Sequence, residues 1–214
     1  MKRFPAYVLL LLSCAAVGSS ALADNAADYF TYGPLERSSQ RLWINEGIPT
    51  GCRYTITNAG ATWTNAPSGF SYVWSGYVLP VSWSWNGTDN ISTTANTLDT
   101  VVHLGTTDFA NSLAQTEYRT RSYNSTTGRY IFMDADVVVN QSKISTVFWC
   151  SPSTPVPSNM WDFETTMLHE LGHVMGMSHD TVDSTTVMWP NQNGGLARRA
   201  LTTKDSQRAS YLYP

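Results

Sequence analysis

Three of the chain's four histidines fall within the stretch HELGHVMGMSHD, residues 169–180, at intervals of four and then six. A four-residue step on a helix stacks His169 above His173, so both can reach one ion. The surrounding segment, WDFETTMLHELGHVMG, carries the signals of such a helix: Asp162 as N-cap, Glu164 in the first turn, and Gly176 where a left-handed residue ends it. Phe163, Met167, Leu171 and Val174 form its core stripe. Glu170 lies about 100° around the axis from His169, near the ion without having to ligate it, and is placed to act as a base. Gly176 lets the chain turn sharply, which brings His179 back as a third ligand. Three imidazoles with one open position are the donor set of a catalytic zinc, and Glu170 can take a proton from the water that attacks a polarised carbonyl. The HExxH portion alone occurs by chance on ordinary helices; the glycine and the third histidine make the stretch specific.

The rest of the chain is consistent with an exported enzyme. Its 214 residues, 42% hydrophobic and 14% charged, suffice for one well-packed domain. Residues 1–23 read as a signal peptide of bacterial appearance: Lys2 and Arg3, an apolar run from Tyr7 to Val17 too short to span a bilayer, and an Ala-Leu-Ala ending at Ala23. Leu11-Leu12-Ser13-Cys14 also fits a lipobox, which would leave the protein lipid-anchored at Cys14 rather than secreted. Loss of Lys2 and Arg3 takes the formal charge from −3 to −5, and no basic block remains to bind nucleic acid. With Cys14 removed, Cys52 and Cys150 pair by default as a disulfide in an oxidising compartment, two buried thiols being the alternative.

Residues 24–40 are polar and lack periodicity, a leader or short prosegment in which Asp24 or Asp28 could offer a carboxylate to the metal. Alternation predicts strands over Arg53–Thr57, broken by Ala59-Gly60, and over Val81, Trp83 and Trp85. Phe70, Val73, Trp74 and Tyr77 at helical spacing predict a short helix. Residues 86–100 read as a polar surface loop, and TEYRTRSY, NSTTG and RYIFMDADVVVN as a hairpin whose second strand sets Ile131, Met133, Ala135, Val137 and Val139 against a helix. The aromatic content admits a carbohydrate platform, but Trp83 and Trp85 in phase with Val81 favour core packing. Asn86, Asn90, Asn124 and Asn140 head N-x-S/T sequons, which matter only in a eukaryotic secretory pathway.

With all its constrained positions filled, HExxHxxGxxHD resembles the metzincin zinc endopeptidases. Met188 in TTVMWPNQ takes the place of that family's Met-turn, and Met188-Trp189-Pro190 is similar to the matrixin form. RLWINEGIPTGCRYTI resembles the matrixin first strand, LAQT (113–116) and DADVVVN (134–140) its third-strand region, and LTTKDSQRASYLYP its closing helix. The resemblance covers most of residues 41–214. It implies an α/β (α+β) catalytic domain: a twisted, mostly parallel sheet with an antiparallel edge strand, an active-site helix and a C-terminal helix. Three features depart from the pattern. Asp180 stands where matrixins carry Ser. His103 is the only histidine left for a second, structural zinc, so one zinc is expected. No cysteine switch is visible.

The activity so implied is that of a secreted zinc endopeptidase, a monomer with no transmembrane domain acting on a protein or peptide substrate. Glu170 would be its base, His169, His173 and His179 its metal ligands, and Met188 an apolar floor beneath them. Metzincin-like substrates add a strand along the sheet edge, for which Ser145–Trp149 is the candidate, and Trp189 and Pro190 would wall an apolar pocket selecting Leu, Met or Phe after the cleaved bond. Calcium at Asp134 and Asp136 is left open, since paired strand aspartates are more often solvated. A non-enzymatic, zinc-stabilised binding protein on the same fold is the alternative, against which an intact Glu170 argues. Other HExxH hydrolases take a distant carboxylate as third ligand, which His179 disfavours.

Overall fold

The computed structural model describes Leu35 and residues 38–78, 99–105, 112–124 and 129–214. Its elements are β1 (Ser39–Asn45), α1 (Thr50–Thr64), β2 (Ser71–Val78), β3 (Asp99–Gly105), β4 (Ala114–Asn124), β5 (Arg129–Asn140), β6 (Phe148–Trp149), β7 (Trp161–Asp162), α2 (Phe163–Val174) and α3 (Thr203–Leu212). Five strands form one sheet in the order β2-β1-β3-β5-β4. All neighbours run parallel except β4, which pairs antiparallel with β5 at the edge. This is the expected metzincin-like architecture. In β5 both faces are buried, Ala135, Val137 and Val139 on one side and Asp136 and Val138 on the other, as an interior strand of a sheet covered on both faces requires. Val137 and Val139 share the core with Met167, Leu168 and Leu171 of α2.

Two elements differ from the sequence reading. Arg53–Thr57 is not a strand but part of α1, because a longer period wins: Cys52, Thr55, Ile56, Ala59, Gly60 and Trp63 are its buried residues, at steps of three and four. Ala59-Gly60 does not break this helix. A Cβ on Gly60 would lie 3.0 Å from Leu42 Cδ2 and 3.5 Å from Tyr72 Cβ, so the glycine lets α1 sit close on the sheet.

Residues 71–78 form β2 rather than a helix. In its pairing with β1, Trp74 lies opposite Leu42 and Gly76 opposite Trp43, so Ser75 is an extra, bulged residue. The bulge puts Trp74 and Tyr77, three apart, on one face, with rings 5.2 Å apart, and so imitates helical spacing. Gly76 adopts φ 125°, where a Cβ would meet the Trp43 ring at 3.3 Å.

Ser145–Trp149 is not an edge of the main sheet. Residues 141–147 are turns, and Phe148–Trp149 pairs with Trp161–Asp162 in a separate two-stranded ribbon. The edge strand on the α2 side is β4. Leu35 is buried in the core and β1 begins at Ser39. The readings for residues 1–34, for Val81–Trp85 and for 125–128 lie outside the described residues, as does most of the 86–100 stretch.

Cys52 and Cys150 form a disulfide across 98 residues, fastening the start of α1 to the end of β6. In the chain-entropy account a loop of this size contributes on the order of 4 kcal/mol. Among the described residues no helix is long and apolar enough to cross a membrane.

Candidate metal centre and active site

Helix α2 begins as the sequence indicates. Asp162 caps it, its Oδ2 accepting from the Thr165 N–H at 2.9 Å and the Thr165 hydroxyl at 2.6 Å. Arg199 grips the same carboxylate, with Nε 3.0 Å from Oδ2, and also donates to the carbonyls of Ser151 and Pro152. The far end closes with the N–H of Gly176 on the His173 carbonyl and that of Met177 on Gly172, and Gly176 adopts φ 95°. This left-handed turn reverses the chain and returns His179 to the helix.

The three imidazoles converge. Their nearest ring nitrogens all lie within 4.8 Å of one another, and the His179 ring centroid stands 4.7 Å from that of His173 and 5.1 Å from that of His169. His169 Nδ1 is 2.7 Å from the Val187 carbonyl and His173 Nδ1 is 2.7 Å from the Met177 carbonyl. A carbonyl can only accept, so each Nδ1 carries hydrogen, and in the neutral rings each Nε2 presents a lone pair. Those two Nε2 atoms face each other at 3.1 Å. Two lone pairs so close repel unless a cation lies between them. Nitrogens 2.0 to 2.1 Å from a tetrahedral zinc would stand about 3.3 Å apart.

Burial keeps the rings uncharged, as a ligand must be. It lowers His169 to about 4, with His179 adding to the effect, and takes His173 well below its ordinary value, helped by the two neighbouring imidazoles. Burial likewise raises Glu170 to about 7, against opposing hydrogen bonds from the Thr116 hydroxyl and the Thr116 main-chain N–H. Thr116 Oγ1 lies 2.8 Å from Glu170 Oε2 and 2.9 Å from the Glu170 carbonyl.

Met188 is fully buried against α2. A Cβ on Gly172 would lie 2.4 Å from its sulfur, so only glycine lets the Met-turn pass this close. The Met188 carbonyl accepts from the Asp180 N–H at 2.9 Å, and the preceding Val187 N–H donates to Asp205 at 3.2 Å. Trp189 is half-buried and Pro190 exposed.

Several residues at the site gave no warning in sequence. Trp63, Tyr72 and Tyr118 donate to the α2 carbonyls of Leu168, Leu171 and His173 at 2.8, 2.6 and 2.6 Å, and Tyr213 to that of Met175, the C-cap, at 2.8 Å. They come from α1, β2, β4 and the residue after α3, so only the finished topology assembles them. Asp180 also has a structural role. It is fully buried, accepts from the N–H groups of Val182 and Asp183, and pairs with Lys204 at 2.7 Å and Arg208 at 3.1 Å, four residues apart on α3.

Asp136 is not solvated as expected. It is wholly buried and accepts from the Val101 N–H at 2.7 Å, tying β5 to β3; the Asp134 side chain lies outside the described residues. Asn140 is buried as well, its amide donating to the Ser112 carbonyl at 2.9 Å.

A family model described as matrixin matches residues 83–214. No curated protein sequence matches significantly. Among solved structures, the high choriolytic enzyme 1 of the medaka fish Oryzias latipes, a hatching-enzyme zinc protease, aligns over 88% of this chain and 96% of its own, with a TM-score of 0.43 and 12% sequence identity.

Proposed function

The chain belongs to the matrixin family, and from that premise we propose that it is a secreted zinc endopeptidase with His169, His173 and His179 as ligands and Glu170 as general base. The observation that carries the reading is the pair of Nε2 lone pairs facing each other at 3.1 Å beside a third imidazole, an arrangement that calls for a cation. Zinc in that place polarises a peptide carbonyl and makes water more acidic.

The chain's own groups supply the rest. Val187 and Met177 fix the tautomers of His169 and His173 through their carbonyls, and Asp205 and Asp180 hold the Met-turn that carries one of those carbonyls. Glu170 is buried, and its carboxylate accepts from Thr116. It takes the proton of the attacking water and delivers it to the departing amine. Substrate lies along β4, the antiparallel edge strand whose Thr116 and Tyr118 bond to α2 at Glu170 and His173. Main-chain pairing there gives affinity, and a pocket beyond Met188, walled by Trp189 and Pro190, gives selectivity. Residues 1–23 direct export and are removed.

Digestion of a peptide library by the mature, zinc-loaded chain, read by mass spectrometry, tests this. Cleavage should fall before Leu, Met or Phe. Cleavage after basic residues would retain the enzyme and discard the pocket. A zinc-loaded protein that cuts nothing would shift the assignment to a zinc-stabilised binding protein.

A further inference from the structure

Thr116 stands on β4, opposite Val137 of β5, and its hydroxyl meets two acceptors of one residue, Glu170 Oε2 at 2.8 Å and the Glu170 carbonyl at 2.9 Å. A hydroxyl has one hydrogen and two lone pairs, so it donates to one of these at a time. While Glu170 is a carboxylate, the charge-assisted bond to Oε2 is the stronger.

The threonine is itself well fixed. Its β-branched side chain has little freedom at χ1. Two residues on and on the same face of the strand, Tyr118 donates to the His173 carbonyl at 2.6 Å, a second attachment of β4 to α2.

We propose that Thr116 is a positioning residue for Glu170: its hydroxyl holds the carboxylate in a single rotamer. The inference rests on the endopeptidase reading and deepens it: the strand that aligns the substrate also aligns the base.

The test compares the mature zinc-loaded wild type with Thr116→Val, which removes the hydroxyl at nearly constant shape, and Thr116→Ser, which keeps it. On a peptide that the wild type cleaves, Thr116→Val should lower kcat by about 10- to 100-fold, the scale of a misplaced catalytic group, with KM and zinc content unchanged. Thr116→Ser should retain most of the wild-type kcat. Wild-type kcat in Thr116→Val would overturn the proposal, as would equal losses in valine and serine variants or a loss that tracks zinc. If the valine variant fails to fold, Thr116→Ala set against Thr116→Ser isolates the same hydroxyl.

Crystal structures of the zinc-loaded proteins give a readout independent of turnover. The Glu170 carboxylate should hold one position in the wild type and in Thr116→Ser, and be displaced or split in Thr116→Val. An unchanged carboxylate in Thr116→Val would overturn the proposal. If the wild type binds zinc but cleaves no peptide, the endopeptidase reading fails, and this comparison alone decides what Thr116 does.

Discussion

Glutamine in place of Glu170 is expected to lower kcat by at least about 100-fold, the lower range for loss of general acid–base catalysis, while leaving fold and zinc content intact. The side chain is buried beside the ligands, so a substitution that changed its volume would confound packing with chemistry. The amide has almost the same shape, and its oxygen can still accept the Thr116 hydroxyl that reaches Oε2 at 2.8 Å. What it cannot do is take the proton from water. Kinetics on a single peptide, with zinc measured in the same sample, separates these effects. Equal rates in the two proteins would remove Glu170 as the base.

The other large effect is on stability. Replacing Asp180 by alanine should cost about 3–5 kcal/mol, the range for breaking a buried ion pair from one side. Asp180 is fully buried and Arg208 is only 1% exposed, so the substitution strips Arg208 of a carboxylate partner in the interior and frees the N–H groups of Val182 and Asp183. Burial by itself raises the Asp180 pKa, but Lys204, the two main-chain donors and Arg208 outweigh it and leave the value lowered. Its contribution is therefore present above the ordinary aspartate value, about 3.9, and is lost as pH falls through the lower folded one. Urea unfolding at neutral pH reads the loss. A change below about 0.5 kcal/mol, the scale of an ordinary surface substitution, would show that the cluster does not hold the loop to α3.

Position 180 also shows what a sequence can and cannot reveal. Asp180 reads as a departure from the matrixin serine, and the structure converts it into a clamp between the third histidine and α3. One cue was local, since Lys204 and Arg208 stand one helical turn apart and so share a face. The candidate metal site was legible for the same reason: residues 162–180 specify cap, stripe, histidine spacing and glycine turn within one short stretch, and the structure builds each of them.

Where the sequence reading failed, distant contacts had decided the outcome. Five alternating residues suggested a strand at Arg53, whereas the buried period of α1 runs over twelve. At Trp74 and Tyr77 a bulge opposite β1 created a spacing that only pairing could explain. Thr116 and the donors to the carbonyls of α2 and its C-cap lie 38 to 105 residues from their partners, and no local pattern links them. Ser145–Trp149 was expected at the sheet edge, whereas the Asn140 side chain, accepting from the N–H and hydroxyl of Ser142, turns the chain away from the main sheet at the end of β5.

Zinc stoichiometry measured together with peptide cleavage tests the central claim most directly. Protein purified without chelator should carry one zinc per chain, lose its activity in step with the metal on chelation, and regain it when zinc is restored; His179→Ala should bind zinc at reduced occupancy. Wild-type protein without zinc, cleavage that survives complete removal of metal, or full zinc occupancy in His179→Ala would contradict the three-histidine peptidase.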